Sequence, residues 1–256
     1  MNFIIPDWEA PHNVKALVST RQGGVSLKPF DSLNLGDHVG DSPQNVAANR
    51  AIFVKSLPAE PVWLSQTHST LVSTPQSRQN YHLTPDVEIQ ADASVTNIPG
   101  EVLVIMTADC MPVLFTNRDG SAIGVAHAGW RGLCAGILEN TVAELLKISD
   151  DEDLVSLMAW LGPAIGPNAF EVGEDVVSAF EKSGVATPIS AFKPIPNKDG
   201  KYLADIYQLA RVRLQACGIK TISGGQYCTV TDQNQFFSYR RDGQTGRFAS
   251  AIWLAK

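Results

Sequence analysis

Three side chains of this 256-residue chain are competent to hold a metal, and each stands at the end of a strand-like run. They are His68 in 64 LSQTHS 69, Cys110 in 107 TADCMP 112 and His127 in 125 VAHAGW 130. Two imidazoles and a thiolate match the ligand set of zinc, and three protein ligands leave the fourth tetrahedral position open, as catalysis requires. Zinc held in this way lowers the pKa of bound water toward about 7, or polarises a carbonyl or ring nitrogen of a substrate. The spacing H-x41-C-x16-H is not a compact zinc-binding code, so other readings stand beside it. Each histidine can be a hydrogen-bonded strand-end residue and Cys110 a small buried hydrophobe, or Cys110 and His127 can form the nucleophile pair of a cysteine hydrolase. His12, His38 and His82 sit in polar or Pro-flanked loops and read as solvated.

Polar residues near these three extend the candidate site. Asp109 precedes Cys110 and Asp92 lies in the ADAS turn; either can orient a ligand histidine, act as acid or base, or simply form a turn. Arg131 follows the turn made by Gly129 and Gly132, where a guanidinium near a helix N-terminus favours an anion, the alternative being a surface ion pair. Gln66 can hydrogen-bond a base or ribose edge, and Arg21, Asn34, Arg240 and Arg241 are further polar candidates from glycine-neighboured loops. Phe170, Glu171 and Cys228 come from loops able to close a pocket, though they also read as ordinary core or surface residues.

The elements that must position these groups are short. A strand over 14–20 leads into RQGGVS, a long polar loop follows, and Ser42 with Pro43 starts a helix over roughly 43–57. Strands are expected over 62–68, 69–74, 91–97, 101–108, 112–117 and 121–128. So many strands before a helix indicate a mixed or antiparallel sheet and not regular βαβ winding. One helix is expected over 130–147, with Leu133, Ile137, Leu138, Val142, Leu145 and Leu146 on one broad apolar face. A strand over 154–162, a helix over 174–182, an irregular loop over 187–200, a helix over 202–217 and a hairpin around DGQTG complete the chain.

Hydrophobic residues make up 44% and charged residues 18%, below the usual quarter or so, which suits one large core and a single domain over 1–256. The net charge of −6 and the lack of a basic run argue against nucleic acid as a partner. A signal-like n-region and a long apolar stretch are both missing, which argues against a membrane and for the cytoplasm. The four cysteines, Cys110, Cys134, Cys217 and Cys228, are too dispersed for a disulfide scaffold, so each is a buried hydrophobe, a ligand or a nucleophile.

The runs 64 LSQTHS 69, 91 ADASVT 96, 107 TADCMPVLF 115, 125 VAHAGWRG 132 and 238 SYRRDGQTGR 247 occur in order, after TRQGGVS at Thr20. Together they resemble the purine nucleoside phosphorylase and laccase-domain family, the YfiH-like bacterial proteins once described as multicopper polyphenol oxidases. The resemblance covers essentially the whole chain. It implies a YfiH-like α+β fold of mixed sheets with packed helices, and a zinc site falling on His68, Cys110 and His127. It also implies phosphorolysis of adenosine, inosine, guanosine or methylthioadenosine, and deamination of adenosine. Some members are associated instead with removing a misincorporated serine from a muropeptide precursor, which would make the protein an amidase for UDP-MurNAc-L-serine. A non-enzymatic binding protein that keeps its metal for structure is the third alternative. In the phosphorylase reading the anion at Arg131 is phosphate; in the muropeptide reading it is a carboxylate or phosphate of the substrate. The laccase label fails on arithmetic: a four-copper oxidase needs two histidines at type 1 copper and about eight more at its trinuclear cluster, and the chain has five in all.

Overall fold

The computed structural model describes residues 3–79, 89–149 and 156–256. The first half runs β1 (Phe3–Ile4), β2 (Val14–Ser19), α1 (Pro43–Val54), β3 (Leu64–Ser65), β4 (Val72–Ser73), β5 (Ile89–Gln90), β6 (Ala93–Thr96), β7 (Val102–Thr107), β8 (Met111–Asn117) and β9 (Ile123–Ala128). Then come α2 (Trp130–Ala135), α3 (Ile137–Ile148), β10 (Leu157–Leu161), β11 (Glu171–Gly173), α4 (Glu174–Glu181), β12 (Phe192–Pro194), β13 (Lys201–Ala204), α5 (Ile206–Ala216), β14 (Thr221–Gly224), α6 (Tyr239–Asp242) and β15 (Phe248–Leu254).

The fold is α+β, built on a four-stranded sheet in the order β1-β2-β15-β7 and a six-stranded sheet in the order β14-β10-β8-β9-β6-β4. Alternation along the strands shows how the layers stack, because successive side chains leave a strand on opposite faces. Leu103 and Ile105 of β7 and Phe248 and Ile252 of β15 meet Leu114, Val125 and Trp160 of the larger sheet in one core. On the other face of the smaller sheet, Val104, Ala249 and Ala251 pack with Phe53 of α1 and with Leu33 and Leu35. The other face of the larger sheet sends Val113, Phe115, Ala126 and Ala159 against Leu138, Val142 and Leu145 of α3 and Ala210 and Leu214 of α5. Helix, sheet, sheet and helices therefore form four layers, and β8, β9 and β10 are buried on both sides.

Several expected elements are corrected. The single helix over 130–147 is two, because Gly136 takes a left-handed φ of 103° and breaks it. The segment 202–217 starts as β13; the helix begins only after Asp205, whose side chain accepts the Gln208 N–H as an N-cap. No hairpin forms around DGQTG: Ser238 caps the short α6 by accepting from Arg241 N, and only β15 follows. The loop over 187–200 contains β12, paired with β13. The helix over 43–57 stops at Val54, and the strands expected over 62–68 and 69–74 shrink to the two-residue β3 and β4. The polar loop after residue 31 is anchored by two leucines, Leu33 and Leu35, with no exposed surface.

Candidate metal centre and cleft

Sheet register brings the three sequence-distant groups together. The β8–β9 pairing sets Met111 opposite Ala128 and Pro112 opposite His127, so Cys110, one step before β8, arrives beside the exit of β9. The β6–β9 pairing sets Ala93 opposite Ala126, which leaves Asp92 next to His127. Asp92 is fully buried, and its carboxylate accepts the backbone N–H groups of Thr67, His68 and Ser69 at 3.1, 2.9 and 2.6 Å. Aiming three successive amides at one anion needs an unusual backbone, and His68 has φ 61°. Asp92 also accepts from Ser69 Oγ at 2.7 Å, and its Oδ1 meets His127 Nδ1 at 2.8 Å, which turns Nε2 of that ring away from the carboxylate. One aspartate thus places both histidines, the outer-sphere support that metal-binding imidazoles generally have.

His68, Cys110 and His127 offer ligand atoms that all lie within 4.8 Å of one another. Cys110 Sγ is 3.6 Å from His68 Nε2, and the two imidazole rings stand edge to face with centroids 4.7 Å apart. Burial opposes charge on each group of the Cys110–His127 pair, but each supplies the other's countercharge. The thiol is brought down to about 6 by the His127 imidazolium and by hydrogen bonds from both histidines. His127 is pushed up to about 9 by the thiolate and by Asp92. Burial also raises Asp92, yet bonding to His127 and Ser69 outweighs it and holds that carboxyl at about 2. Glycine makes the convergence possible: a Cβ on Gly129 would lie 2.7 Å from His68 Cδ2 and 2.9 Å from Cys110 Sγ, and one on Gly132 would lie 3.1 Å from the Ser69 carbonyl oxygen.

The centre opens into a cleft of about 490 Å³. Met106, Trp130, Ile165, Phe170 and Ile206 give it an apolar wall, and Arg131, Arg240 and Arg247 line it with His38 at one side. Asp109 is the one acid among the described lining residues, and both its oxygens are engaged: one by Thr229 Oγ1, the other by Arg240 N, each at 2.6 Å. A protein of net charge −6 thus has a cleft with a cationic lining.

The remaining candidates divide clearly by position. Gln66 lines the cleft but spends its amide on the Met106 backbone, donating to its O at 2.8 Å and accepting from its N at 2.9 Å. Asn34 is fully buried; its Oδ1 accepts from Gly36 N and Arg247 N, each at 2.9 Å, which makes it a backbone brace. Arg21 lies over the Phe237 ring, and Arg241 donates to the carbonyls of Thr229, Val230 and Phe236; both border a separate polar groove of about 670 Å³. Neither of them is among the residues that line the cleft. Arg131 is exposed at the cleft edge and stacks on Trp130 with its guanidinium carbon 4.4 Å from the ring centre. Arg240 donates to Glu171 O at 2.9 Å and leans over Phe170. His38 is solvated, as its loop suggested, yet borders the cleft, and His82 lies outside the described residues. Sequence reasoning missed Arg247, although it closes the very motif in which Arg240 and Arg241 were singled out.

Residues 15–255 match the multi-copper polyphenol oxidoreductase laccase family, and the chain belongs to that family. It is 51% identical to "Purine nucleoside phosphorylase YfiH" of Escherichia coli over 98% of each chain, and 48% identical to a Haemophilus influenzae purine nucleoside phosphorylase over 99% of this chain and all of that one. The crystal structure of Neisseria meningitidis protein NMB0706, described as DUF152, superposes with a TM-score of 0.88 at 46% identity over the full length of both chains. YlmD of Geobacillus stearothermophilus gives 0.86 at 29% identity, over 96% of this chain and 93% of that one. The family description names several coppers, whereas among the described residues one group of metal-competent side chains converges, and it has three members.

Proposed function

We propose that the protein is a zinc-dependent purine nucleoside phosphorylase working in the cleft above His68, Cys110 and His127. The observation that carries this reading is the lining of the cleft: an apolar wall and unneutralised arginines sit beside a His–Cys–His cluster. The names of its relatives support the same activity. Two imidazole nitrogens and a thiol already biased toward thiolate fit zinc, and zinc bound there would supply a Lewis acid at one end of the cleft. Copper(II) competes for such a set by the Irving–Williams order, so metal analysis has to accompany any assay.

Trp130 and Phe170 give a purine its stacking surface, and the arginines hold phosphate against the ribose. A phosphate oxygen then bonds to C1′ as the C1′–N9 bond breaks, and the departing base takes up on nitrogen the proton that the attacking dihydrogen phosphate gives up. Asp92 carries no proton in this reading; it keeps His127 in one tautomer and His68 in place. Asp109 is likewise an anchor, fixing the Cys110 turn to the backbone of Arg240.

A second reading, cleavage of the acyl–serine bond of a muropeptide precursor, is favoured by one observation. A further groove of about 370 Å³ shares His38, Tyr239 and Arg247 with the cleft and gives a larger substrate additional room beside it. One experiment separates the two. Zinc-loaded protein is incubated with adenosine or inosine, with and without phosphate, and separately with UDP-MurNAc-L-serine, and the products are resolved by chromatography. Phosphate-dependent release of free base is expected, with inosine formed from adenosine if deamination belongs to the same centre. Release of serine without release of base would overturn the phosphorylase reading.

A further inference from the structure

Three arginines line the cleft, and they differ in how firmly they are held. Arg131 is exposed and stacks on its neighbour Trp130. Arg240 has Nη1 tied to carbonyls at the cleft edge. Arg247 is half-buried, and its Nη1 donates to the carbonyls of Thr245 and Gly246 at 3.2 and 3.1 Å. Its backbone N is fixed by Asn34 Oδ1, and its stem lies against Gly36, where a Cβ would come within 2.8 Å of Arg247 Cγ. Among the described residues no carboxylate lies within ion-pair distance of its guanidinium, and Nε and Nη2 have no hydrogen-bond partner. Fixing Nη1 leaves free the Nε–Nη2 edge, the parallel pair of N–H groups that matches two oxygens of a tetrahedral oxyanion. Cys110, Asp109 and Tyr239 are near enough to act on its charge, and Arg247 borders both the cleft and the groove that extends it.

We propose that Arg247 is the anion anchor of the cleft, holding inorganic phosphate side-on through its Nε–Nη2 edge. This rests on the phosphorylase reading and assigns the phosphate within it. Burial lowers the guanidinium's pKa by more than Cys110, Asp109 and Tyr239 raise it, so the cation gains from the further countercharge of a bound oxyanion. Preorganisation sets it apart from Arg131: its carbonyl contacts and the Gly36 notch restrain the side chain before phosphate arrives, whereas Arg131 must be ordered on binding.

The test uses zinc-loaded full-length protein and inorganic phosphate alone, titrated calorimetrically, and then the phosphate and nucleoside KM values of turnover. Arg247→Lys keeps the charge but not the fork and is expected to weaken phosphate binding about tenfold; Arg247→Met is expected to weaken it further. Gly36→Ala leaves the arginine in place, displaces its stem and should raise the phosphate KM in the same direction. The nucleoside KM should stay within about twofold, a split that general loosening of the fold would not produce. Melting temperature and zinc content identify any variant that fails to fold. Parent-like phosphate affinity in folded Arg247→Met overturns the proposal, as does a larger loss in Arg131→Met or Arg240→Met, or a parent that binds no phosphate. A parent that binds phosphate through Arg247 but releases no base from any nucleoside leaves the anchor standing and removes the phosphorylase reading.

Discussion

Replacing Gly129 by alanine would test whether the three-residue centre holds metal, because the added methyl group meets the ligands directly. Gly129 has φ −66° and ψ 155°, which alanine adopts freely, so the substitution carries no backbone penalty. In the unfolded chain it even favours folding, by roughly 0.4–1 kcal/mol. Its cost is purely steric. The new Cβ would stand 2.7 Å from His68 Cδ2 and 2.9 Å from Cys110 Sγ, where unstrained carbon contacts need about 3.5–4.0 Å. Both side chains must therefore retreat by about 1 Å, several times the roughly 0.2 Å within which metal–ligand distances are held. Overpacking of this kind costs about 1–3 kcal/mol, so after the entropic gain the protein should still fold, with its melting temperature lowered by a few degrees. We expect Gly129→Ala, purified without chelator, to hold well under one zinc per chain by elemental analysis while the parent holds about one. Base release should fall in proportion. A variant that keeps both its zinc and its turnover would refute the placement of the metal on His68 and Cys110.

Three more outcomes follow from the same geometry. Asp92→Asn puts an amide NH₂ against backbone N–H donors or against His127 Nδ1, and should cost about 3 kcal/mol by denaturant unfolding as well as most of the bound metal. The Asp92 carboxyl is held at about 2, below its ordinary 3.8, so its stabilisation is present above about pH 4 and is lost as pH falls toward 2. The parent's melting temperature should therefore drop more steeply over that window than that of the variant. In metal-free protein the thiolate absorbance of Cys110 should titrate near pH 6, and His127→Ala should move it upward by removing the cation that offsets burial; an unmoved midpoint would show that the pair is not coupled. Asp109→Asn should destabilise the fold by about 1–3 kcal/mol, since Thr229 Oγ1 and Arg240 N each lose a charged acceptor, and should change the slope of activity against pH little if Asp109 transfers no proton.

The parts of the molecule that declare themselves in the sequence are those whose cause is local. The runs of β7, β8 and β9 are apolar because the strands are buried, β8 and β9 on both faces, and their ends carry Cys110 and His127 where the spacing placed them. The start of α5 was also written locally, in Asp205 three residues before Gln208, but the apolar pattern of YLADIY hid it. What stays illegible is whatever depends on which strand lies beside which. Nothing near Asp92 announces that it faces both histidines; that follows from the β6–β9 register. Gly129 reads as a turn former, while its reason is the space taken by two distant side chains. Arg240, Arg241 and Arg247 share one motif, yet α6 sends Arg241 toward Thr229 and Phe236, away from the cleft that the other two line.

A centre assembled from strand register has a consequence for how the site tolerates change. His68 depends on a two-residue strand and a left-handed residue, and would be poorly fixed alone. Asp92 supplies the missing constraint by binding three amides around it, and Asp92 in turn is fixed by the antiparallel pairing of β6 with β9. A one-residue slip of that pairing would turn every side chain of β6 to the opposite face, so the buried Val95 and Ala93 that resist the slip also hold His68 and His127 in place. The arginine side of the cleft is built by the opposite strategy. There Asn34, Asp109 and the carbonyls of Thr245 and Gly246 hold loop backbone and guanidinium through hydrogen bonds. Strand register fixes the three metal-competent side chains, as a centre with tolerances of tenths of an ångström would require, while hydrogen-bonded loops carry the arginines that line the cleft.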